Sequence, residues 1–207
     1  MNGTAIIVFA KAPQPGLAKT RLIPALGADG AARLAARLLR HAVVQALAAQ
    51  TGPVQLCIAG DTAHPLVLEL SNAHTLAVTP QGEGELGLRM QRAMAAALAS
   101  HAAVLLMGTD LPGLDAAVLR AAAQALQGHD AVFVPALDGG YGLVGLKRPQ
   151  PALFDGMAWS HPQVMADTRA RAAAAGLRLA ELPPLHDIDE PADLVHLPAA
   201  WRADEAC

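Results

Sequence analysis

Aromatic side chains are scarce in this chain, at 3% of 207 residues, and cysteines number only two. Two tryptophans, one tyrosine and three phenylalanines offer no platform on which successive bases of a single strand could stack. Excess positive charge is also missing: 15 Lys and Arg stand against 18 Asp and Glu, a formal net charge of -3, whereas duplex binding calls for a broad basic face. Nucleic acid is therefore excluded as the main partner. Cys57 lies in an apolar run and Cys207 is the last residue, so no disulfide framework is available and a reducing, cytoplasmic setting is expected.

Long apolar runs are absent as well. The segment Thr4 to Ala10 has about seven residues, lacks a basic lead-in and ends at Lys11, which fits neither a signal peptide nor a membrane span. No later run reaches spanning length. The eight histidines form no HxH or HxxxH pair, so no zinc site is visible. Neither a Gly-x-Ser-x-Gly element nor a reactive-cysteine context occurs, which removes nucleophilic hydrolysis from the leading chemistries.

What the chain does have is a hydrophobic content of 53%, enough for a full core, and a length that predicts one domain over residues 1–207. Strand-like runs recur at Thr4 to Ala10, Val54 to Ala59, Thr75 to Val78, Ala103 to Met107, Ala131 to Pro135, Tyr141 to Leu146 and Leu177 to Leu182. Most are separated by helical pattern: Asp29 to Gln50, Leu86 to Ser100, Asp115 to Leu126 with Asp115 as N-cap, and Pro162 to Ala175 ending at Gly176. Such alternation predicts a three-layer α/β/α open sandwich, Rossmann-like, with a mainly parallel sheet. Only Ala136 to Gly140 separates two of the runs, so a hairpin there gives one antiparallel strand. No exposed apolar stripe is legible, and the oligomeric state stays open.

Lys11, Lys19 and Arg21 fall in one short loop straight after the first strand. Loops leaving the carboxyl edge of an open α/β sheet hold ligands, and three cations there suit a polyphosphate. They would also suit an ordinary solvated loop. Gly16-Leu17-Ala18-Lys19-Thr20 looks like the end of a Walker loop, but Ala18 replaces the glycine before the lysine and the earlier glycine is missing.

Asp110 follows the apolar strand Val104 to Met107. A hard oxygen donor at that edge suits Mg²⁺ or Mn²⁺ on phosphates, and because Asp115 already serves as the next helix cap, Asp110 is not needed for capping. Asp189 or Glu190 either caps a short helix with Pro191 in its first turn or supplies a second metal ligand. Asp138-Gly139-Gly140-Tyr141 makes a tight turn, or else lets bare backbone approach a ligand with Asp138 or Tyr141 aimed at a sugar or acceptor. Gly82-Glu83-Gly84-Glu85-Leu86-Gly87 spells the dinucleotide fingerprint, but it is not in the first strand-to-helix turn and its glutamates would repel a pyrophosphate. Its glycines, beside Gln81, would serve a base or ribose instead.

Taken together, Phe9 to Leu22, Gly108-Thr109-Asp110-Leu111-Pro112, Pro135 to Tyr141, Trp159-Ser160 and Asp187-Ile188-Asp189 resemble the glycosyltransferase A-like proteins of the nucleotide-diphospho-sugar transferase superfamily, over nearly the whole chain. The resemblance implies a nucleotide over the carboxyl edge of the first strands. Lys11, Lys19 and Arg21 would meet its phosphates, Gln81, Gly84 and Gly87 its base or ribose, and Asp110 a divalent ion with Asp189 opposite. Gly139, Gly140, Tyr141 and Trp159 would face the acceptor, and Lys19, Asp110 and Asp138 would carry catalysis. The loop lacks the Gly-x-Gly-x-Arg start of sugar nucleotidyltransferases, and Leu111-Pro112 takes the place of a completed Asp-x-Asp.

The expected activity is metal-dependent group transfer at a nucleotide diphosphate, with glycosyl transfer from a nucleotide sugar to a small acceptor placed first. Nucleotidyl transfer from a nucleoside triphosphate to a phosphate or carboxylate acceptor, with release of pyrophosphate, uses the same cations. A catalytically idle nucleotide-binding protein is the third reading; it would keep the basic loop but need none of the acids.

Overall fold

The computed structural model of the protein describes residues 3–201. Its centre is a seven-stranded sheet, β1 (Thr4–Lys11), β2 (Val54–Ala59), β3 (Ala77–Pro80), β4 (Ala103–Met107), β5 (Ala131–Pro135), β6 (Tyr141–Leu146) and β7 (Leu179–Glu181). The spatial order is β3-β2-β1-β4-β6-β5-β7. Only β6 is antiparallel to its neighbours β4 and β5, so the hairpin expected from the short Ala136 to Gly140 connection is present.

Adjacent residues of one strand feed opposite cores. Ile6 and Val8 of β1 pack with Leu39, Val43 and Ala46 of α1 (Ile23–Ala49), Val67 of α2 (Pro65–His74) and Leu119 and Ala122 of α4 (Ala116–Gly128). Ala5 and Ile7 pack instead with Met90 and Met94 of α3 (Leu86–Leu98) and Met165 of α5 (Val164–Ala174). A strand buried on both faces needs cover on both, which is the physical reason for three layers.

Helix boundaries follow local chemistry. Asp115 accepts the Val118 N–H at 2.9 Å and starts α4 as expected. Within α1 the chain breaks at Gly27 (φ 72°, ψ 168°), so the helix expected from Asp29 is the longer segment after a kink. Helix α2 was not expected. Its start, Pro65 in the first turn after His64, and its buried Leu66, Val67 and Leu70 form a pattern too short to stand out from a connecting loop. Thr75, expected to begin a strand, instead ends α2 in the left-handed region (φ 54°), and β3 starts two residues later.

Two features aim the carboxyl edge of the sheet at one spot. Beyond β7 the chain continues beside β5, with Leu185 donating to the Pro135 carbonyl at 3.0 Å, and Ile188 then donates to the Asp110 carbonyl at 2.8 Å. Ile188 is fully buried against Leu22, Leu34 and Leu38. The Asp187 to Asp189 segment is thereby held against both the Asp110 loop and the loop after β1.

Candidate active site

The loop after β1 is tied down at its small residues. Ala12 and Ala18 are buried, Ala12 donates to Ala59 at 2.9 Å, and Leu17 and Ala18 both donate to the Gln14 carbonyl. Lys19 itself is left-handed (φ 47°) and turns its side chain inward.

The Lys19 ammonium lies 2.5 Å from Asp110 Oδ1 and 3.8 Å from Asp189 Oδ1, and it donates to the Ile188 carbonyl at 2.5 Å. Arg21 reaches Asp189 Oδ2 at 2.6 Å. Thus two of the three cations expected at phosphates meet carboxylates, and Lys11 is exposed with no ion pair among the described residues. The arrangement has a cation held between two carboxylates and a backbone carbonyl, all oxygen donors. Among the described residues no three His, Cys, Asp or Glu side chains form a ready-made metal cluster.

Two cavities share the Asp110 and Asp189 wall. One, of about 300 Å³, is lined by Lys11, Lys19, Arg21 and Thr109. The other, of about 260 Å³, is lined by Leu86, Leu111, Asp138, Gly140, Tyr141, Trp159 and Asp187. The first is cationic; no lysine or arginine lines the second.

The hairpin shapes the second cavity. Asp138 Oδ1 accepts the Gly140 N–H at 2.8 Å, and Gly139 (φ +95°) brings its Cα so close to Pro162 that a Cβ would stand 2.0 Å from the Pro162 carbonyl oxygen. The turn is tight, as its glycines lead one to expect, and its bare backbone makes its close approach to Pro162. Tyr141 packs edge-on against Phe133 and Trp159, with ring centroids 4.9 and 6.3 Å apart. Burial pushes its phenol pKa up, and its hydroxyl has no protein partner among the described residues. The Asp187 carboxyl is raised by burial and then by the facing charges of Asp138, Asp193 and Asp189.

Gln81, Gly84 and Gly87 are not gathered at one spot. The Gln81 side chain is buried and fully engaged: its amide donates to the Ala10 and Cys57 carbonyls at 3.0 and 3.2 Å, and its oxygen accepts from Arg89 at 2.7 Å. It braces β1 against β2, and both of its amide N–H groups are committed to those carbonyls. Gly84 (φ +104°) lies in the exposed turn before α3. Gly87 lies beneath Trp159, where a Cβ would stand 2.8 Å from the indole ring, and so supports a residue that lines the second cavity.

Comparison with known proteins decides the family. The profile of a family described as "Uncharacterized protein conserved in bacteria (DUF2064)" matches residues 42–161, more than half of the chain. A Desulfovibrio desulfuricans G20 protein provisionally named a nucleotide-diphospho-sugar transferase is 31% identical, with a TM-score of 0.87 over 98% of this chain and 91% of that one. The chain belongs to the DUF2064 family of nucleotide-diphospho-sugar transferase-like proteins. More distant structures share the fold of this DUF2064 protein. CMP:2-keto-3-deoxy-manno-octonic acid synthetase complexed with CTP has a TM-score of 0.60 at 14% identity, over 97% of this chain and 99% of that one. Rv0371c of Mycobacterium tuberculosis H37Rv, in complex with manganese, has a TM-score of 0.53 at 16% identity, over 94% and 97%. No protein of curated function gives a significant match.

Three site features of this DUF2064 protein escaped the sequence. Asp187 was visible in the Asp-Ile-Asp motif, yet only the structure turns it into the second cavity. Leu111 lines that cavity and presses on Gly142, where a Cβ would be 2.5 Å from the leucine. His41 contacts the Pro112 carbonyl through Nε2 at 2.9 Å and so braces the Asp110 loop from α1, a contact between remote segments that no local motif signals. The expected absence of a membrane span corresponds to a narrower fact: no helix among the described residues is long and apolar enough to cross a bilayer.

Proposed function

We propose that this DUF2064 protein is a group transferase acting at the diphosphate of a nucleotide, and that it moves a glycosyl group from a nucleotide sugar to a small acceptor. The observation that carries this reading is the shared Asp110 and Asp189 wall between a cationic cavity and an acidic, aromatic-walled one. A diphosphate fits the first and an acceptor the second, with the bond to be broken at the junction.

Lys11, Lys19 and Arg21 bind the phosphates, and the cation cradle of Asp110 and Asp189 fits Mg²⁺ or Mn²⁺, as the manganese complex of a fold relative encourages. When bound, the ion supplies charge stabilisation for the departing diphosphate. The acceptor hydroxyl oxygen attacks the anomeric carbon, the carbon–oxygen bond to the diphosphate breaks, and its electron pair leaves with the diphosphate toward the lysines. Asp138, at the hairpin, takes the hydroxyl proton. Trp159 and Tyr141 wall the acceptor, Gly139 and Gly140 hold the turn that presents Asp138, and Gly87 makes room for Trp159. Gly84 lies within reach of a ribose only through its backbone, and Gln81 acts as a brace.

The acidic second cavity speaks against an anionic acceptor, because a phosphate or carboxylate would meet Asp138 and Asp187 with no lysine or arginine beside them. Nucleotidyl transfer keeps one supporting observation, the likeness to a synthetase complexed with CTP. Incubation with Mg²⁺ or Mn²⁺ and panels of nucleotide sugars and nucleoside triphosphates decides. Sugar transfer with release of nucleoside diphosphate is expected; pyrophosphate release without sugar transfer would overturn the glycosyl reading. Nucleotide affinity that ignores both Mg²⁺ and Asp110→Ala would leave only a nucleotide-binding protein.

A further inference from the structure

The cationic cavity has little positive charge of its own to offer. Lys11, Lys19 and Arg21 share its lining with Asp110 and Asp189, so three cations stand against two carboxylates, and Lys19 and Arg21 are already paired with them. A diphosphate brings more negative charge than that lining matches, which gives weight to charge held outside it. Arg89, in the first turn of α3, is such a charge. Its Nη1 donates to Gln81 Oε1 at 2.7 Å, its Nε is buried without a hydrogen-bond partner, and it forms no ion pair among the described residues. Glu83 and Glu85 of the neighbouring turn are exposed, and neither pairs with it.

An arginine withdrawn from water is ordinarily matched by a carboxylate, and a matched charge cancels its own field. Arg89 is half-buried and unmatched, so its field is left to act on its surroundings. Its contacts also fix where that charge stands. Gln81, the residue it bonds, is buried and donates to the Ala10 carbonyl at 3.0 Å, and Ala10 lines the cavity one residue before Lys11. The two hydrogen bonds and the amide between them, with bonds of about 1.2 and 1.3 Å, put Arg89 Nη1 at most about 8 Å from that carbonyl. That is within one Debye length, about 10 Å at 0.1 M salt, and charges separated by protein are screened less than charges separated by water.

We infer that Arg89 is a remote electrostatic residue of the cationic cavity: without touching the ligand, its unpaired charge strengthens the binding of an anionic group at the carboxyl end of β1, and the Gln81 amide holds that charge in place. The inference rests on the reading of this cavity as a diphosphate site. It accounts for the orphaned Nε, because a guanidinium kept for its field is retained even where the protein does not satisfy all of its donors.

The test is calorimetry on the full chain with inorganic pyrophosphate as the probe, in excess Mg²⁺, at about 0.1 M and about 1 M salt. Arg89→Gln keeps a donor for Gln81 and loses the charge, Arg89→Met loses both, and Arg89→Lys keeps both. At the lower salt Arg89→Gln and Arg89→Met should bind pyrophosphate about three- to tenfold more weakly than the parent, the span set by charges about 8–12 Å apart at an effective dielectric near 20 with screening. Arg89→Lys should stay near the parent. At about 1 M salt, where the Debye length is about 3 Å, all four proteins should converge. If Arg89→Met does not fold, the comparison of Arg89→Gln with Arg89→Lys decides alone. Parent-like binding by Arg89→Gln overturns the inference, because the bond to Gln81 would then suffice without the charge. Arg89→Lys binding as weakly as Arg89→Gln overturns it as well, and so does a loss that persists at high salt. A parent that binds pyrophosphate with an affinity no Arg89 variant changes sinks this inference and leaves the diphosphate reading standing, whereas a parent that binds none sinks both.

Discussion

Replacing Lys19 by methionine separates two proposed roles, standing in a cation's place beside Asp110 and reaching the phosphates. The ammonium lies 2.5 Å from Asp110 Oδ1, so a divalent ion bound to that oxygen at about 2.1 Å would stand no farther than about 4.6 Å from an unmoved Lys19. Charges of +1 and +2 at that distance repel by about 7 kcal/mol at an effective dielectric of 20. Asp110 is 50% exposed, and solvent screening of that order still leaves about 3–4 kcal/mol. The contacts that Lys19 would give up are worth less, about 1.5–3 kcal/mol. Lys19 must therefore leave before a metal enters, and its leaving weakens the metal affinity of the parent protein. Lys19→Met removes that cost and keeps an apolar stem of similar length. The affinity of the nucleotide-free protein for Mn²⁺ should rise roughly tenfold to a hundredfold. Nucleotide affinity at saturating Mn²⁺ should fall by about tenfold or more, because no ammonium is left to reach the phosphates. Titration calorimetry with Mn²⁺ first and nucleotide second reads both. A variant that binds Mn²⁺ no better than the parent refutes the reasoning, since Lys19 would then not stand in the cation's place.

Other outcomes follow from single contacts. Gly139→Ala should lower stability by about 2–4 kcal/mol in thermal melts, from a left-handed backbone and a forced shift of Pro162; Gly156→Ala, also at positive φ but with open space around its Cβ position, should cost only about 1 kcal/mol. Hydrogen bonds from Arg169 hold Glu181, and those from the Arg178 backbone and side chain hold Asp130, below their ordinary values of 4.5 and 3.8. Folded-state values that are lowered contribute stability above the unfolded pKa and lose it as pH falls through the folded one. The melting temperature should therefore drop below about pH 4.5, and Arg169→Ala should flatten part of that drop; a profile identical to the parent's would remove the pair from the account. Burial pushes the Cys57 thiol up, so in a Cys207→Ser background a maleimide should modify it only on unfolding, and fast labelling of the native protein would contradict its packing.

The sheet was legible because its strands are apolar over whole runs, and burial on both faces leaves little else for Ala103 to Met107 or Ala131 to Pro135 to do. The hairpin was legible because five residues cannot hold a crossover helix. What escaped were features decided by tertiary contacts. The run from Pro65 to His74 is helical because Leu66, Val67 and Leu70 find a core, not because its pattern is long. Lys19, Arg21, Asp110 and Asp189 were each visible as chemistry, but their mutual pairing depends on Ile188 being buried under α1 and bonded to the Asp110 backbone. Gln81 stood out as a lone polar residue beside glycines, yet it satisfies the carbonyls of two strands that only the fold brings together. Cys207, the other cysteine of the sequence, lies outside the described residues.

Backbone strain supports the division of the site into two halves. Among the described residues four that are not glycine have positive φ: Lys19, Gln50, Thr75 and Ser160. Gln50 and Thr75 end α1 and α2, a common place for the left-handed conformation. Lys19 and Ser160 end no helix, and each lines one of the two cavities. An L-residue in that region costs about 1–2 kcal/mol and persists only where its surroundings over-determine it. At Lys19 those surroundings are buried Ala18 on one side, the Leu22 N–H on its own carbonyl at 2.9 Å, and the ion pair with Asp110. A glycine would relieve the strain without steric penalty, so what the strained backbone maintains at position 19 is the ammonium itself, aimed at Asp110.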